Sequence, residues 1–192
     1  MSQEVSSHGR CTWCGQDPLY VDYHDSVWGR PVYDSRELFE KLCLDGQQAG
    51  LSWITILKKQ SGYQRAFCDF EPTEIVKLTG DDVETLMQNT DIVRNRLKIQ
   101  SIIKNAKGFI AYESEHGEGA FSEFLWSFVG GQPIVNQFTD SSQVPAETAE
   151  SKAMSKALKN LGFSFVGPTI CYAFMQAVGM VNDHLVSCPA HK

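Results

Sequence analysis

The chain has 192 residues, a length that suits one compact domain or two small lobes sharing a core. Its apolar fraction of 42% and aromatic fraction of 11% predict an ordinary globular core and exclude a disordered chain, and the net charge of −6 argues weakly against a dedicated nucleic-acid binder. No apolar run approaches the roughly 20 residues that cross a bilayer and no secretory signal opens the chain, so we expect a cytoplasmic protein.

Six cysteines occur, at positions 11, 14, 43, 68, 171 and 188. In a reducing compartment they are expected to be core thiols or metal ligands instead of disulfides. The charge is unevenly distributed, because residues 92–112 hold five basic side chains and no acid.

The first predicted helix begins near Ser35, where Asp34 and Glu37 have the spacing of a capping box and apolar residues then recur at helical intervals. Within DGQQAGLSW, residues 45–53, Gly50 is a plausible helix stop and Ser52 a plausible new cap. We therefore expect a break in this stretch. Residues 72–78 read as a short helix that Gly80 closes.

A second capping-box pattern, at Asp81 and Glu84, predicts another helix, followed by a tight turn at residues 89–91. The cleanest amphipathic stripe then runs from Ile99 to Ile110. Residues 81–110 thus read as helix, turn and helix.

Toward the C-terminus, helices are predicted over residues 123–129 and 153–161, with a polar surface loop over 136–151 between them. Pro168 opens a segment that is apolar nearly all round, which predicts a buried central helix. Nothing in the pattern requires a sheet, so the expected fold class is all-α.

The first candidate site combines both ends of the chain. Cys11 and His24, with His184 and Cys188, can form a tetrahedral Cys2His2 zinc site with no open position, which would be structural. Cys14 and His8 are alternative ligands. For either pair taken alone, a buried thiol and a surface histidine is the more frequent explanation.

The second candidate is aromatic and acidic. It contains four aromatic residues within sixteen positions, then an acid and a further tryptophan: Trp13, Tyr20, Tyr23, Trp28, Asp45 and Trp53. Core packing explains any one of these aromatic residues. The functional alternative is a pocket that stacks a flat, electron-poor heterocycle beside a carboxylate.

The third candidate is the basic end of the predicted helix, turn and helix. Arg94 and Arg96 beside backbone amides at a helix start are suited to binding phosphate. A solvated, exposed face explains the same residues equally well.

Several long stretches resemble the 3-methyladenine DNA glycosylase I family: CTWCGQDPLYVDYHDSVWG, DSRELFEKLCLDGQQAGLSWITILKK, RNRLKIQSIIKNA and KALKNLGFSFVGPTICYAFMQAVGMVNDHLVSC. The resemblance covers about residues 11–188. It implies an all-helical protein of the helix-hairpin-helix glycosylase superfamily, with a hairpin element near 81–110 in a unit spanning 1–192. The implied activity is hydrolysis of the N-glycosidic bond of 3-methyladenine in alkylated double-stranded DNA, after the nucleotide has been flipped.

The resemblance also assigns residues. It implies one structural zinc per chain, held by Cys11, His24, His184 and Cys188, which joins the N- and C-terminal segments. It implies a base pocket of Trp13, Tyr20, Tyr23 and Trp53, with a catalytic acid at Asp45 and DNA contacts at Gly50, Leu51, Arg94 and Arg96. The family usually has Glu where this chain has Asp45, which shortens the reach of the carboxylate by one methylene.

Two other functional classes compete with a glycosylase. One is a zinc-stabilised DNA-binding module without catalysis, although every pocket position holds a competent residue. The other is a helical protein-interaction domain, favoured only by the acidic pI of about 5.3. We expect a monomer that acts on DNA and does not enter membranes.

Overall fold

A computed structural model describes residues 9–192, and helices make up most of this part of the chain. Nine are α-helical: α1 (Pro18–Ser26), α2 (Ser35–Gln47), α3 (Trp53–Ala66), α4 (Pro72–Ile75), α5 (Gly80–Leu86), α6 (Arg96–His116), α7 (Ala120–Ser127), α8 (Ala149–Asn160) and α9 (Pro168–Ala177). Short 3-10 turns occur at Thr12–Cys14, Cys68–Phe70 and Ser141–Gln143. The predominantly helical fold that the sequence predicts is confirmed.

One small sheet departs from that prediction. Strands β1 (Ile134–Val135) and β2 (Val181–Asn182) pair in parallel, with Ile134 opposite Val181. Two residues in each strand are too few to leave an alternating pattern, so the sequence gives no sign of this pairing.

The core lies between α2, α6 and α9. Helix α9 packs against both α2 and α8, and α6 packs against α2, α4 and α7. Residues Leu38 and Leu42 of α2, Ile99 and Ile102 of α6, and Phe174 of α9 have no exposed surface. The buried central helix predicted after Pro168 is therefore α9. No helix in residues 9–192 has the length and apolar character needed to cross a membrane.

The break predicted within residues 45–53 separates α2 from α3. Helix α2 begins at Ser35 as predicted, because the carboxylate of Asp34 accepts a hydrogen bond from the backbone N–H of Glu37 at 2.8 Å. It continues through Asp45 and ends at Gln47. Gly50 has a φ of +77°, a left-handed conformation that disfavours side chains, and α3 starts at Trp53.

The short helices before α6 differ from two predictions made from the sequence. Helix α4 ends at Ile75, and Gly80 begins α5 instead of closing the helix before it. The capping box of α5 is formed by Thr79 and Asp82, not by Asp81 and Glu84. Threonine is also a good cap residue, and the Asp82 carboxylate lies 2.7 Å from the Thr79 backbone nitrogen.

Helix α6 has 21 residues and extends beyond the predicted end at Ile110 to His116. Asn95 caps it, since its side-chain oxygen accepts a hydrogen bond from the Lys98 N–H at 3.1 Å. Residues 87–95 connect α5 to α6, so the predicted order of helix, turn and helix is present.

Candidate active site

Four metal-binding side chains meet although they come from opposite ends of the chain. The ligand atoms of Cys11, His24, His184 and Cys188 lie within 4.8 Å of one another, and all four residues are buried. The Cys188 sulfur lies 3.6 Å from Nε2 of His24 and 3.7 Å from Nδ1 of His184. The Cys11 sulfur lies 3.8 Å from the same Nδ1. This cluster can hold a metal ion.

These separations fit a tetrahedral zinc ion. With Zn–S of about 2.3 Å and Zn–N of about 2.0 Å, ligand atoms at tetrahedral angles are about 3.5 Å apart for sulfur and nitrogen. The observed distances of 3.6, 3.7 and 3.8 Å are close to that value. Other pairs of ligand atoms are up to 4.8 Å apart, so the cluster has to contract somewhat to close around the ion.

The remaining ring nitrogens are fixed in the way that metal-bound histidines usually are. Nδ1 of His24 lies 2.8 Å from the carboxylate of Asp25, whose pKa falls to about 2 because Arg10 donates a hydrogen bond to it. Nε2 of His184 lies 3.1 Å from the carbonyl oxygen of Trp28. Each of these acceptors requires an N–H on the ring nitrogen that faces it. The second ring nitrogen of each histidine then carries a lone pair, which is directed into the cluster.

Of the alternative ligands, Cys14 is not part of this cluster. The Cys14 thiol donates instead to the carbonyl oxygen of Cys11 at 3.2 Å, and His8 lies outside the described residues. Residues 184–188 form a turn and not a helix. Burial raises the pKa of the Cys11 thiol to about 12 and lowers that of His184 to about 4. A Cys11 thiolate therefore needs a nearby cation, while the histidine is already neutral, as a ligand must be.

A cavity of about 400 Å³ lies beside the cluster, and all five predicted pocket residues line it: Trp13, Tyr20, Tyr23, Asp45 and Trp53. Asp45 comes from the last turn of α2, where it occupies the same face as Leu38 and Leu42. Helix α1 supplies the tyrosines, and Trp53 is the first residue of α3. The break after α2 therefore brings an acid and an indole to the same cavity.

Two polar atoms of this cavity have no hydrogen-bond partner among residues 9–192. They are Oδ2 of Asp45 and Nε1 of Trp53, and both are fully buried. Burial raises the pKa of Asp45 to about 8, while the charge of Lys41 acts in the opposite sense. Buried polar groups are nearly always hydrogen-bonded, so an unpaired acceptor and an unpaired donor in one cavity indicate a ligand site.

The aromatic side chains are arranged at angles to one another. The rings of Tyr23 and Trp53 have centroids 5.6 Å apart and are tilted by 41°. Trp13 makes edge contacts with Tyr20 at 5.1 Å and with Trp28 at 4.8 Å. Because Trp13 remains 36% exposed, it lies at the mouth of the cavity.

The cavity and the metal-binding cluster share a wall. Trp28 stacks on His24 at 6.2 Å and makes an edge contact with His184 at 4.7 Å. Trp13 contacts His24 at 5.2 Å and follows Cys11 by two residues. Anything that holds the four ligands together therefore also fixes Trp13 and Trp28.

Sequence reasoning missed several residues of the cavity wall. Trp28 was among the aromatic residues of the second candidate site, although the family resemblance gave it no role, whereas Ser141 and Val144 belong to the predicted surface loop. Asp183 is also in the wall, where it accepts hydrogen bonds from Tyr172 at 2.5 Å and Gln176 at 2.9 Å. No spacing pattern connects these residues, since they meet only through tertiary packing.

The predicted DNA contacts lie on two neighbouring loops. Leu51 is 39% exposed, and a side chain built at Gly50 would meet no atom within 4 Å. Arg94 is exposed, whereas Arg96 forms a two-pronged ion pair with Glu84 of α5. Gly46, by contrast, serves internal packing, because a Cβ there would lie 3.0 Å from the carbonyl oxygen of Phe165.

Comparison with known proteins identifies the family of this chain. The family described as methyladenine glycosylase matches residues 13–191. A DNA-3-methyladenine glycosylase of Haemophilus influenzae is 54% identical over 180 residues, which cover 94% of this chain and 96% of the relative. The resemblance predicted from the sequence is thereby confirmed.

Solved structures agree as well. A crystal structure of 3-methyladenine DNA glycosylase I superposes with a TM-score of 0.93 at 53% identity, covering 95% of this chain and all (100%) of that one. The Staphylococcus aureus enzyme, described for its recognition of 3-methyladenine, gives 0.91 at 42% identity, covering 95% and 96% of the two chains. The chain belongs to the methyladenine glycosylase family.

Proposed function

We propose that this protein hydrolyses the N-glycosidic bond of 3-methyladenine in alkylated double-stranded DNA and releases the free base. The observation that carries the proposal is the pair of unpartnered buried atoms, Oδ2 of Asp45 and Nε1 of Trp53, in an aromatic cavity. A volume of about 400 Å³ is large enough for a purine. The recognition of 3-methyladenine by the related S. aureus enzyme supports the same substrate here.

The cavity suits a cationic purine. Methylation at N3 gives the base a positive charge, and the face of Trp53 attracts such a ring. Asp45 accepts a hydrogen bond from the exocyclic amino group, and Tyr23 holds the opposite edge. Trp13 and Tyr20 close the mouth around the bound base. An uncharged adenine gains less from these contacts, which contributes selectivity.

The bond that breaks is already weak. As the bond between C1′ and the base lengthens, its electron pair passes to the base and cancels the positive charge. Water then attacks the oxocarbenium-like sugar and loses a proton to solvent. The role of Asp45 is to hold and stabilise the departing base, and no obligatory general base is required. The residues therefore work mainly by selection and positioning.

The base reaches the cavity by leaving the DNA stack. Extrusion costs a few kcal/mol and costs less for a damaged base. Leu51 enters the gap that the nucleotide leaves, and Gly50 allows the DNA backbone to approach closely. Arg94 binds a neighbouring phosphate, and Arg96 does so when it exchanges Glu84 for the phosphate. These residues contact the DNA on either side of the flipped nucleotide.

We further propose that the metal is one zinc ion per chain, held by Cys11, His24, His184 and Cys188. Two thiolates and two neutral imidazoles suit zinc, and four protein ligands leave no position for water. The ion would supply folding energy and hold Trp13 and Trp28 in place. It takes no part in bond cleavage.

The assignment extends to the larger architecture. The α5–α6 pair, with residues 87–95 between, supports membership of the helix-hairpin-helix superfamily, although the loop lacks the usual glycine-rich sequence. Shared packing of α2, α6 and α9 supports one compact helical unit over residues 9–192, the described part of the predicted unit 1–192. We propose that it acts as a monomer, because a DNA glycosylase needs one site for each lesion. Since its substrate is DNA and its H. influenzae relative is bacterial, we place it in the cytoplasm.

Incubation with methylated duplex DNA, followed by chromatography of the released bases, tests the activity. We expect free 3-methyladenine from the wild-type protein, much less from Asp45→Asn, and a normal yield from Asp81→Asn, whose residue is exposed on α5. The two competing classes, a non-catalytic DNA-binding module and a protein-interaction domain, release no base. Absence of free 3-methyladenine from correctly folded wild-type protein would refute the proposal.

A further inference from the structure

Two separate loops of the proposed DNA face are joined by a buried lysine. Lys98 lies in the first turn of α6 and belongs to the basic stretch that the sequence presents as a possible phosphate-binding surface. It is only 6% exposed. Its ammonium group donates to the carbonyl oxygens of Gln47 at 2.8 Å and Ala49 at 2.6 Å. The ammonium group of Lys98 is therefore already hydrogen-bonded within the protein.

The acceptors identify what Lys98 stabilises. Gln47 is the last residue of α2 and Ala49 belongs to the loop that carries Leu51. Carbonyl groups at a helix C-terminus lack helical hydrogen-bond donors and carry partial negative charge. A buried ammonium group there donates the missing hydrogen bonds and offsets that charge. Lys98 thus fixes the start of the loop over residues 48–52.

A second set of hydrogen bonds runs between the same two segments. The side-chain amide of Gln47 donates to the Lys98 carbonyl at 3.0 Å and accepts from the Tyr63 hydroxyl at 3.2 Å. That hydroxyl in turn accepts from the backbone N–H of Val93 at 3.1 Å. Gln47 and Tyr63 have no exposed surface. The loop before α6 is therefore tied to the end of α2 at both Val93 and Lys98.

We infer that Lys98, together with Gln47 and Tyr63, is a positioning residue that holds the loop over 48–52 in register with the end of the loop over 87–95 and the first turn of α6. In this role Lys98 does not contact DNA. It sets the distance between Leu51, which fills the gap in the stack, and Arg94, which binds phosphate. The inference rests on the proposed function, because it assigns these residues to the nucleotide-flipping step of that reaction.

The test compares Lys98→Met with Lys107→Met, whose exposed lysine lies about two and a half turns further along the same helix. We expect Lys98→Met to release 3-methyladenine from methylated duplex roughly 10- to 100-fold more slowly in single turnovers, as small misplacements of reacting groups do. Lys107→Met should match wild type. Affinity for free 3-methyladenine, followed by tryptophan fluorescence, should change less than about 2-fold in Lys98→Met because the pocket is intact.

Salt dependence separates positioning from phosphate binding. Removing a phosphate contact lowers the slope of log affinity against log salt by about 0.9 in double-stranded DNA. We expect no such change in Lys98→Met, since its ammonium group is bonded to carbonyl oxygens. A lower slope, or wild-type release from duplex, would overturn the inference.

Tyr63→Phe provides a milder variant in case Lys98→Met does not fold. It removes only the hydroxyl between Gln47 and Val93. We expect release from duplex to fall about 3- to 10-fold, in line with the loss of about 1 kcal/mol in hydrogen bonding, with far-UV helicity unchanged. Wild-type release from Tyr63→Phe would count against the network. Failure of the wild-type protein itself to release any base would instead reject the proposed function.

Discussion

Replacing Asp45 by Asn should make the protein more stable and less active. Asp45 lies 3% exposed in the cavity, and Oδ2 has no partner. Burial raises its pKa from an ordinary 3.8 to about 8. A carboxyl whose pKa is higher in the folded state stabilises fully below pH 4, and this stability is lost as the pH rises to about 8. Burial also raises the pKa values of the neighbouring Tyr23 hydroxyl and Cys171 thiol, so both groups are uncharged between pH 4 and pH 8. Lys41 is therefore the charged group that acts on Asp45 in this pH range.

The size of the effect follows from the pKa. At pH 7 the solution lies 7 − 3.8 = 3.2 units above the ordinary pKa of an aspartate. At about 1.4 kcal/mol for each unit, keeping Asp45 protonated in the folded state costs about 4 kcal/mol relative to the unfolded chain. This is an upper bound, because water entering the cavity solvates the carboxylate. Asparagine has the same shape and does not titrate, so we expect a gain of about 1 to 4 kcal/mol at pH 7.

Urea unfolding of both proteins at pH 4.5 and pH 7.5 measures this difference. The two free energies of unfolding should be similar at the lower pH and diverge at the higher one. Release of 3-methyladenine should fall roughly 10- to 100-fold in Asp45→Asn, because a hydrogen bond to a charged group is worth about 1.5 to 3 kcal/mol. If the stability difference were the same at both pH values, the buried-carboxyl explanation would be wrong. Wild-type release would reject the role of Asp45 in holding the base.

Three other variants test separate parts of the site. Trp53→Ala should lower release by roughly 5- to 150-fold, since base stacking contributes about 1 to 3 kcal/mol. Unchanged release with native far-UV helicity would exclude Trp53 as a stacking surface. Metal analysis should find about one zinc per chain in wild type, and Cys188→Ser should lose it together with several kcal/mol of stability. A metal-free wild-type protein of unchanged stability would reject the structural ion. Arg94→Gln should lower the salt slope of DNA binding by about 0.9, and an unchanged slope would remove Arg94 from the phosphate contacts.

Local signals predicted the parts of the fold that local interactions determine. The start of α2 follows from Asp34 and the break before α3 from Gly50 and Ser52, because capping and left-handed backbone depend on a few adjacent residues. Asp45 was predicted differently, from its place beside the aromatic residues in the sequence and from the family resemblance. The structure adds that it continues the buried stripe of Leu38 and Leu42, where an acid is costly unless it has a function.

Features that arise only from tertiary contacts could not be predicted from the sequence. Lys98 belongs to a stretch of basic residues that looks solvated, yet it is buried against α2. The wall formed by Ser141 and Val144 comes from a polar loop with no pattern. Spacing alone also could not choose Cys11 over Cys14 as a ligand, a choice that the family resemblance made and that the fold supports.

The separation of the metal-binding residues along the chain also constrains when the site can form. Cys11 and Cys188 are 177 positions apart, so closing that loop is among the entropically most expensive contacts in the protein. During synthesis from the N-terminus, the aromatic wall of Trp13 and Trp28 has to wait for His184 before its packing is complete. A prematurely terminated chain therefore lacks a finished cavity. Release of a base from DNA therefore becomes possible only after synthesis has passed Cys188.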